Sequence, residues 1–474
     1  MATFGSSLRF AATLLLTLFR IISAHGFEIA ARIYPADSMA TLRFRAVSAW
    51  GKKNFKSVKV GYIRDDRRFS NGDQLREGGP RFENLKFKRE GADTIVVKVP
   101  LRGEHEHSFF FLLPRKKGEK TSEMRRVALY TLAPDAFKLR PFKGEIHQHS
   151  NLSDGRTPPQ DHVRCARAAG LDFVAVTDHR CNAQNAIVAA TAKDSGCGLV
   201  TYPGEEMHNP AAILHSVCLG APGVMSSGRR TPEFSAAVMP ILEELCRELP
   251  SMHDSERRSL AEALYIARRA RKHGAVLIYC HPHWKPYGRY NAPPDFTRYI
   301  LSCDDFDAVE ITNGQVYHDN YLTFALLYEI AATKGKRWPV VSASDSHNVS
   351  NVQALKRNYN ILFAPDCSFA EFKKGLREYR VVAAVETMKI KHRAGTHPTL
   401  FGTWRFTKLA TFLEDNGYWR RHGQLAAAQS PLLEKFLSGD KTVIPELKKL
   451  ASEIDALREG FYCADPAVVT PLKR

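Results

Sequence analysis

The chain has 474 residues, 44% apolar and 25% charged, which suits two or three globular domains and excludes a disordered or fibrous protein. Its net charge of +18 favours anionic partners, with nucleic acid among them, but does not identify one. Nine cysteines without any Cys-x-x-Cys spacing point to neither a disulfide framework nor a zinc–cysteine site.

Residues 1–24 hold Arg9, an apolar run from Phe10 to Phe19, and Ser23-Ala24 before His25. This is the layout of a secretory signal peptide cleaved after Ala24, although Arg20 and Ile22 fit it poorly. The expectation is an exported protein, periplasmic or secreted, with a cytoplasmic one as the alternative. The run is too short to cross a bilayer, so no integral membrane association is expected.

Residues 27–137 read as a small antiparallel β-sandwich. "ATLRFRAVSAW", "SVKVGYIR", "DTIVVKVPL", "HSFFFLLP" and "RRVALYTLA" are short alternating or apolar runs set between turn residues, with no helical period. Part of the basic excess lies here, with 25 Lys and Arg against 14 Asp and Glu over residues 27–140. "PRKKGEK" (114–120) reads as a solvated hairpin tip. No acid/base pair or ligand cluster occurs in this region.

Beyond residue 143 apolar strands alternate with helical stretches such as "DHVRCARAAG", "ERRSLAEALYIARRARKHG" and "NYLTFALLYEIAATKGK". That alternation predicts a parallel α/β sheet or barrel. The chain after about residue 400 reads as helical.

The strands of this second region carry polar residues near their ends. "GEIHQHSNLSDG" supplies His147, His149 and Asp154. Residues i and i+2 of a strand share a face, so the two imidazoles project side by side into a turn. Two nitrogen ligands and a carboxylate suit a borderline divalent cation. An isolated His-x-His is weak evidence and is often chance. Further strands then deliver Asp178-His179, Glu205-Glu206, His215, His281 with His283, Glu310 with Asn313, and Asp345 with His347. In α/β barrels the strand C-termini form the active face, and accident is a poor account of so many strands ending this way.

In order, "GEIHQHSNLSDG", "GLDFVAVTDH", "PGEE", "HSVCLG", "CHPH", "VEITNG" and "SASDSH" resemble the PHP (polymerase and histidinol phosphatase) superfamily of metal-dependent phosphoesterases over residues 143 to 350. The flanks resemble a PHP subgroup with a β-rich N-terminal region and a helical extension containing a "GTWRFTK"-like segment. The resemblance implies a distorted (β/α)7 barrel over 141–390 and a helical extension over 391–474. It also implies two or three divalent ions (Zn, Mn or Fe) at the barrel's C-terminal face. On this reading His147 and His149 hold one metal, Asp154 and His179 another, and Glu206 bridges. His281, Asp345 and His347 complete the shell, and His215 matches a further family histidine. Glu206 is chosen over Glu205 because the family pattern is Pro-Gly-x-Glu. Glu145 stands where members usually carry Asp.

The implied activity is hydrolysis of phosphate esters by a metal-bound hydroxide, on a phosphorylated small molecule or nucleotide. Arg156, Arg180, Lys285 and Arg289 are candidates to bind phosphate or are ordinary loop charges. Asp178 and His283 are candidates to orient a ligand or protonate the leaving group. The competing readings are an amidohydrolase-type metal hydrolase and a catalytically silent polymer-binding protein, since fold does not fix function.

Overall fold

The computed structural model describes residues 26–64, 83–113, 123–226, 230–314, 317–386, 398–463 and 465–472. The expected signal segment and the 114–120 tip lie outside the described residues. The chain divides into two compact units: residues 1–138 with 457–474, and residues 139–456. The expected boundary at 391 is therefore not where the chain divides. Residues 404–456 group with the barrel, and the last residues group with the N-terminal strands.

In the first unit the described residues form two five-stranded sheets. One contains Phe27–Glu28, Ser38–Ala46, Phe87–Glu90, Thr94–Leu101 and the C-terminal Val469–Pro471, which pairs with Ser38–Ala46. The other contains Ile33–Pro35, Lys59–Arg64, Glu83–Asn84, Glu106–Leu112 and Met124–Leu132. Burial alternates along Ser38–Ala46, as a pleat with one covered face requires. Phe44, Val97, Phe109, Phe111 and Leu129 share one core. One departure from the all-β reading is the helix Ala49–Asn54, started by Ser48, whose hydroxyl accepts a bond from the Gly51 amide at 3.1 Å. That cap satisfies a helix N-terminus and overrides the surrounding strand pattern.

The second unit is built on one ten-stranded sheet. Its strands are β1 (Arg140–Glu145), β2 (Phe173–Val176), β3 (Val200–His208), β4 (His215–Leu219), β5 (Val276–Tyr279), β6 (Ala308–Thr312), β7 (Val340–Ser342), β8 (Asn358–Ala364), β9 (Val381–Glu386) and β10 (Pro398–Phe401). The spatial order is β7-β6-β5-β4-β3-β2-β1-β8-β9-β10. Strands β1, β2, β3, β5, β6, β7 and β9 run one way, and β4, β8 and β10 run the other. The parallel reading thus fails at β4. Its connection from β3 is a short loop in which the Asn209 side chain accepts bonds from the Ile213 and Leu214 amides at 3.0 and 3.2 Å. No crossover helix fits in that span, so the chain turns back antiparallel.

Phe173, Tyr202, Ile278, Val341 and Leu362, from five different strands, meet in one apolar cluster, so the ring of strands encloses a packed core. The sheet nearly closes on itself between β7 and β8. There the Asn360 side chain accepts from the Ser342 amide at 2.9 Å and donates to the Ser342 carbonyl at 2.7 Å. Both residues are fully buried. Asn360→Ala should therefore leave two buried backbone groups unpaired and cost about 1–3 kcal/mol. Urea unfolding of the variant checks this, and an unchanged midpoint would contradict a bonding role for the amide.

The C-terminal helices Trp404–Asp415, Tyr418–Ala428 and Ser430–Leu437 are anchored on the barrel by buried polar pairs. His422 Nε2 lies 2.8 Å from Asp172 Oδ1, and Arg167 donates to Gln429 at 2.5 Å. Asp172 in turn accepts from the Lys143 amide at the start of the barrel.

Candidate metal centre

The candidate ligands gather at one rim of the sheet. His147 and His149 follow β1, His179 follows β2, and Glu206 lies near the end of β3. His281 follows β5, and Asp345 and His347 follow β7. His215 opens β4, and because that strand runs the opposite way its first residue reaches the same rim. His281 and Asp345 have positive φ, 30° and 48°. Such backbone costs about 1–3 kcal/mol per residue and concentrates at functional sites.

Five of these residues converge. Glu206 Oε2 lies 3.1 Å from His147 Nε2, 3.2 Å from His149 Nε2 and 3.0 Å from His179 Nδ1. Asp345 Oδ1 lies 3.4 Å from His147 Nε2 and 3.1 Å from His149 Nε2. Glu206 Oε2, His147 Nε2 and His179 Nδ1 are nonetheless buried without a hydrogen-bond partner. Metal–ligand bonds of about 2.0–2.2 Å place neighbouring donor atoms roughly 3–3.5 Å apart. The separations observed match that spacing, and the donor set fits a divalent ion.

A second group sits at the mouth. Asp154 Oδ2 lies 3.3 Å from His179 Nε2 and 3.2 Å from His347 Nε2, with Asp154 about half exposed. A third uses the other oxygen of Glu206, with His215 Nδ1 at 2.8 Å and His281 Nε2 at 3.1 Å from Oε1. All nine residues expected as ligands fall into these groups.

The pleat explains which glutamate is used. Glu206 points into the site and its neighbour Glu205 to the opposite face, where Glu205 accepts from the Met225 and Ser226 amides at 2.7 and 3.1 Å. Burial opposes charge on His147, His149 and His281, but the surrounding Glu206, Asp345 and Glu310 outweigh it. His147 and His281 are held above the usual imidazole range, and His149 is pushed up to about 9. Burial likewise raises Glu206 and Asp345, and the imidazoles overcome it and hold both below the usual carboxylate range.

The two residues expected to orient a ligand or act as acid are bound in other ways. Asp178 and His179 are adjacent but have different partners. Asp178 accepts from the Ser150 amide at 2.6 Å, from the Ser150 hydroxyl at 2.5 Å and from the Ser153 hydroxyl at 2.8 Å. It therefore pins the loop that carries Asp154. Gly155 belongs to that loop, and a Cβ there would lie 2.3 Å from the His149 carbonyl oxygen. His283 is buried with Nδ1 2.8 Å from the Thr323 hydroxyl. Neither Asp178 nor His283 belongs to a ligand group among the described residues.

Glu310 has no role legible in the sequence, but the structure gives it one. Its Oε1 lies 2.7 Å from His147 Nδ1, and its Oε2 accepts from the His281 amide at 3.0 Å. This backs His147 with a carboxylate and leaves Nε2 facing the site. Its signal was a charge inside the apolar run "AVEIT". His208, two residues beyond Glu206 on β3, was missed, as was Cys280 beside His147 and Glu310. The i+2 spacing from Glu206 could have revealed His208.

Beneath the site His162 is buried with Nδ1 2.7 Å from Gln148 Oε1, and burial pushes it down to about 4. The imidazole is neutral in the fold and titrates near 6.5 when unfolded. Its contribution is therefore complete above about pH 6.5 and is lost as pH falls towards 4, by up to about 3 kcal/mol. His162→Gln should flatten that part of the stability–pH curve measured by urea unfolding between pH 7 and 4.5.

No family model and no curated protein matches the chain. Among solved structures it is similar to a two-domain protein from Bacteroides vulgatus ATCC 8482 containing a predicted PHP-like metal-dependent phosphoesterase. The identity is 18%, covering 57% of this chain and 78% of that one, with a TM-score of 0.37. A candidate metal-dependent phosphoesterase from Bifidobacterium adolescentis ATCC 15703 is 17% identical, covering 43% of this chain and 87% of that one, at a TM-score of 0.30. An amidohydrolase from Chromobacterium violaceum, with bound sulfate and no metal, is 20% identical over 43% of this chain and 87% of that one, at 0.26.

Proposed function

We propose that the chain is a metal-dependent hydrolase that cleaves phosphate esters at a centre of two or three divalent ions, Zn, Mn or Fe. The observation that carries this reading is Glu206 Oε2, a buried carboxylate oxygen with no hydrogen bond among three imidazole nitrogens at 3.0–3.2 Å. Divalent ions bound there would lower the pKa of water and offset the charge on phosphoryl oxygens.

The chain's own residues supply the rest. Glu206 directs one oxygen to His147, His149 and His179 and the other to His215 and His281, which suits a carboxylate shared between ions. Asp154 and His347 are partly exposed and form the side from which a substrate enters. Asp178 holds Asp154's loop through Ser150 and Ser153. Arg156, Arg180 and Arg289 are exposed and Lys285 half-buried, cations on loops beyond β1, β2 and β5 that favour an anionic ester. The substrate class is a phosphorylated small molecule or nucleotide.

Protein purified without chelators and supplied with Mn or Zn should hold more than one divalent ion per chain, because the ligand groups exceed what one four- to six-coordinate ion uses. A ratio at or below one by elemental analysis would count against the multinuclear centre. The deciding experiment is a screen of metal-loaded protein against phosphomonoesters, dinucleotides and amides. Turnover of phosphate esters supports the proposal. Preference for amides would replace it with an amidohydrolase, and silence on every class would leave a binding protein.

A further inference from the structure

His208 is the last residue of β3 and lies on the same face as Glu206, two residues earlier. It pairs in register with His215 on β4. The two rings stack with centroids 3.9 Å apart and planes 18° from parallel. The same ring meets His179 edge-on, with centroids at 4.5 Å. Its amide donates to the Ser226 hydroxyl at 2.9 Å, which fixes the strand end. The Nε2 atom is buried and has no hydrogen-bond partner.

A buried imidazole nitrogen left without a partner forfeits free energy. The loss is explained when a ligand fills the space it faces. Donor atoms of His179, Glu206 and His208 lie within 4.8 Å of one another. Of these, His179 Nδ1 and Glu206 Oε2 are the other unpartnered donors and stand 3.0 Å apart. We propose that His208 is itself a metal ligand, which with His179 and Glu206 forms a two-imidazole, one-carboxylate position at the edge of the centre.

This inference rests on the metal-dependent reading above and adds one ligand and one ion position to it. The arrangement has a consequence for His179. Its Nε2 faces Asp154 and its Nδ1 faces Glu206, and since a neutral imidazole has one lone-pair nitrogen, ligation through Nδ1 would leave Nε2–H to donate to Asp154. A borderline cation is expected here, since imidazole and carboxylate donors suit Zn, Mn and Fe.

The test compares wild type, His208→Ala and His208→Phe, titrated with Zn against a chromophoric chelator and with Co for its visible spectrum. Phe keeps the stack on His215 and removes both nitrogens, so it separates ligation from packing. Asp154→Ala serves as a comparator that should weaken the neighbouring group instead. The expected result is that both His208 variants lose one ion equivalent, or bind it at least about tenfold more weakly, with an altered Co spectrum. Retained stoichiometry, affinity within twofold and an unchanged spectrum in the Phe variant would overturn the role of His208 while leaving the rest of the centre standing. Should wild type bind no ion, this inference and the reading it rests on both fall.

Discussion

His149→Ala and Asp345→Ala should each lower hydrolysis of a generic phosphate ester by at least about 100-fold while the chain stays folded. His149 Nε2 faces both Glu206 and Asp345, at 3.2 and 3.1 Å, and its ring stacks on His179 and His347, with centroids at 4.4 and 4.2 Å. With His179 it thus lies between the inner group and the mouth. Asp345 Oδ1 contacts His147 and His149 together. Removing either takes a donor from the inner group. Both residues lie past strand ends, outside the apolar cluster that packs the barrel, so the folding core is untouched. Lys193→Ala is the control, an exposed residue near the end of helix Ala183–Ser195, where the change should stay within about half a kcal/mol. The measurement is turnover with added Mn, together with metal content and circular dichroism. Near-wild-type turnover in folded, metal-poor ligand variants would end the metal-dependent mechanism.

The inner ligands were readable because a strand has a two-residue period and its end has a direction. His147 with His149, and Asp345 with His347, announce themselves by spacing. The gathering of His147, His149 and Asp345 with Glu206 then follows from several strands ending at one rim. What could not be read is what depends on partners remote in sequence. The direction of β4 is set by a short loop at Asn209–Leu214, and an apolar strand looks the same read either way. Asp178 reads in the sequence as a group that orients a ligand or as an acid, and its bonds to Ser150 and Ser153 depend on a loop some 25 residues earlier in the chain. His283 stands one residue beyond Pro282 in a ligand-like "HPH", yet it is held by Thr323 from the helix Tyr317–Lys334. The N-terminal strands were legible from alternation alone. The return of the last residues to pair with Ser38–Ala46 was not, because "VTP" carries too little pattern to reveal a partner more than four hundred residues away.

Glu310 shows how much of the centre lies behind its ligands, and Glu310→Gln should weaken metal binding about 10–100-fold while removing no ligand. The carboxylate sits wholly buried between two anchor points, His147 Nδ1 at 2.7 Å and the His281 amide at 3.0 Å. In a metal-bound centre His147 would be neutral, and the first contact would keep its proton on Nδ1 and leave the Nε2 lone pair to the ion. The second fixes the backbone at His281, whose φ of 30° is not one the residue would hold unaided. A glutamine retains the size and one acceptor and loses the negative charge. Either the bond to His147 or that to His281 must then be given up, because an amide nitrogen cannot accept. His147 is freed to rotate or to carry its proton on the ligating nitrogen. Glu310→Ala should do worse and also lower stability, because two buried donors lose their acceptor at about 1–3 kcal/mol each. Chelator competition with Zn measures the affinity, and urea unfolding in the presence of EDTA separates it from folding. If Glu310→Gln binds Zn within twofold of wild type, the carboxylate is packing and not support, and the orientation of His147 must be sought in the strand that carries it.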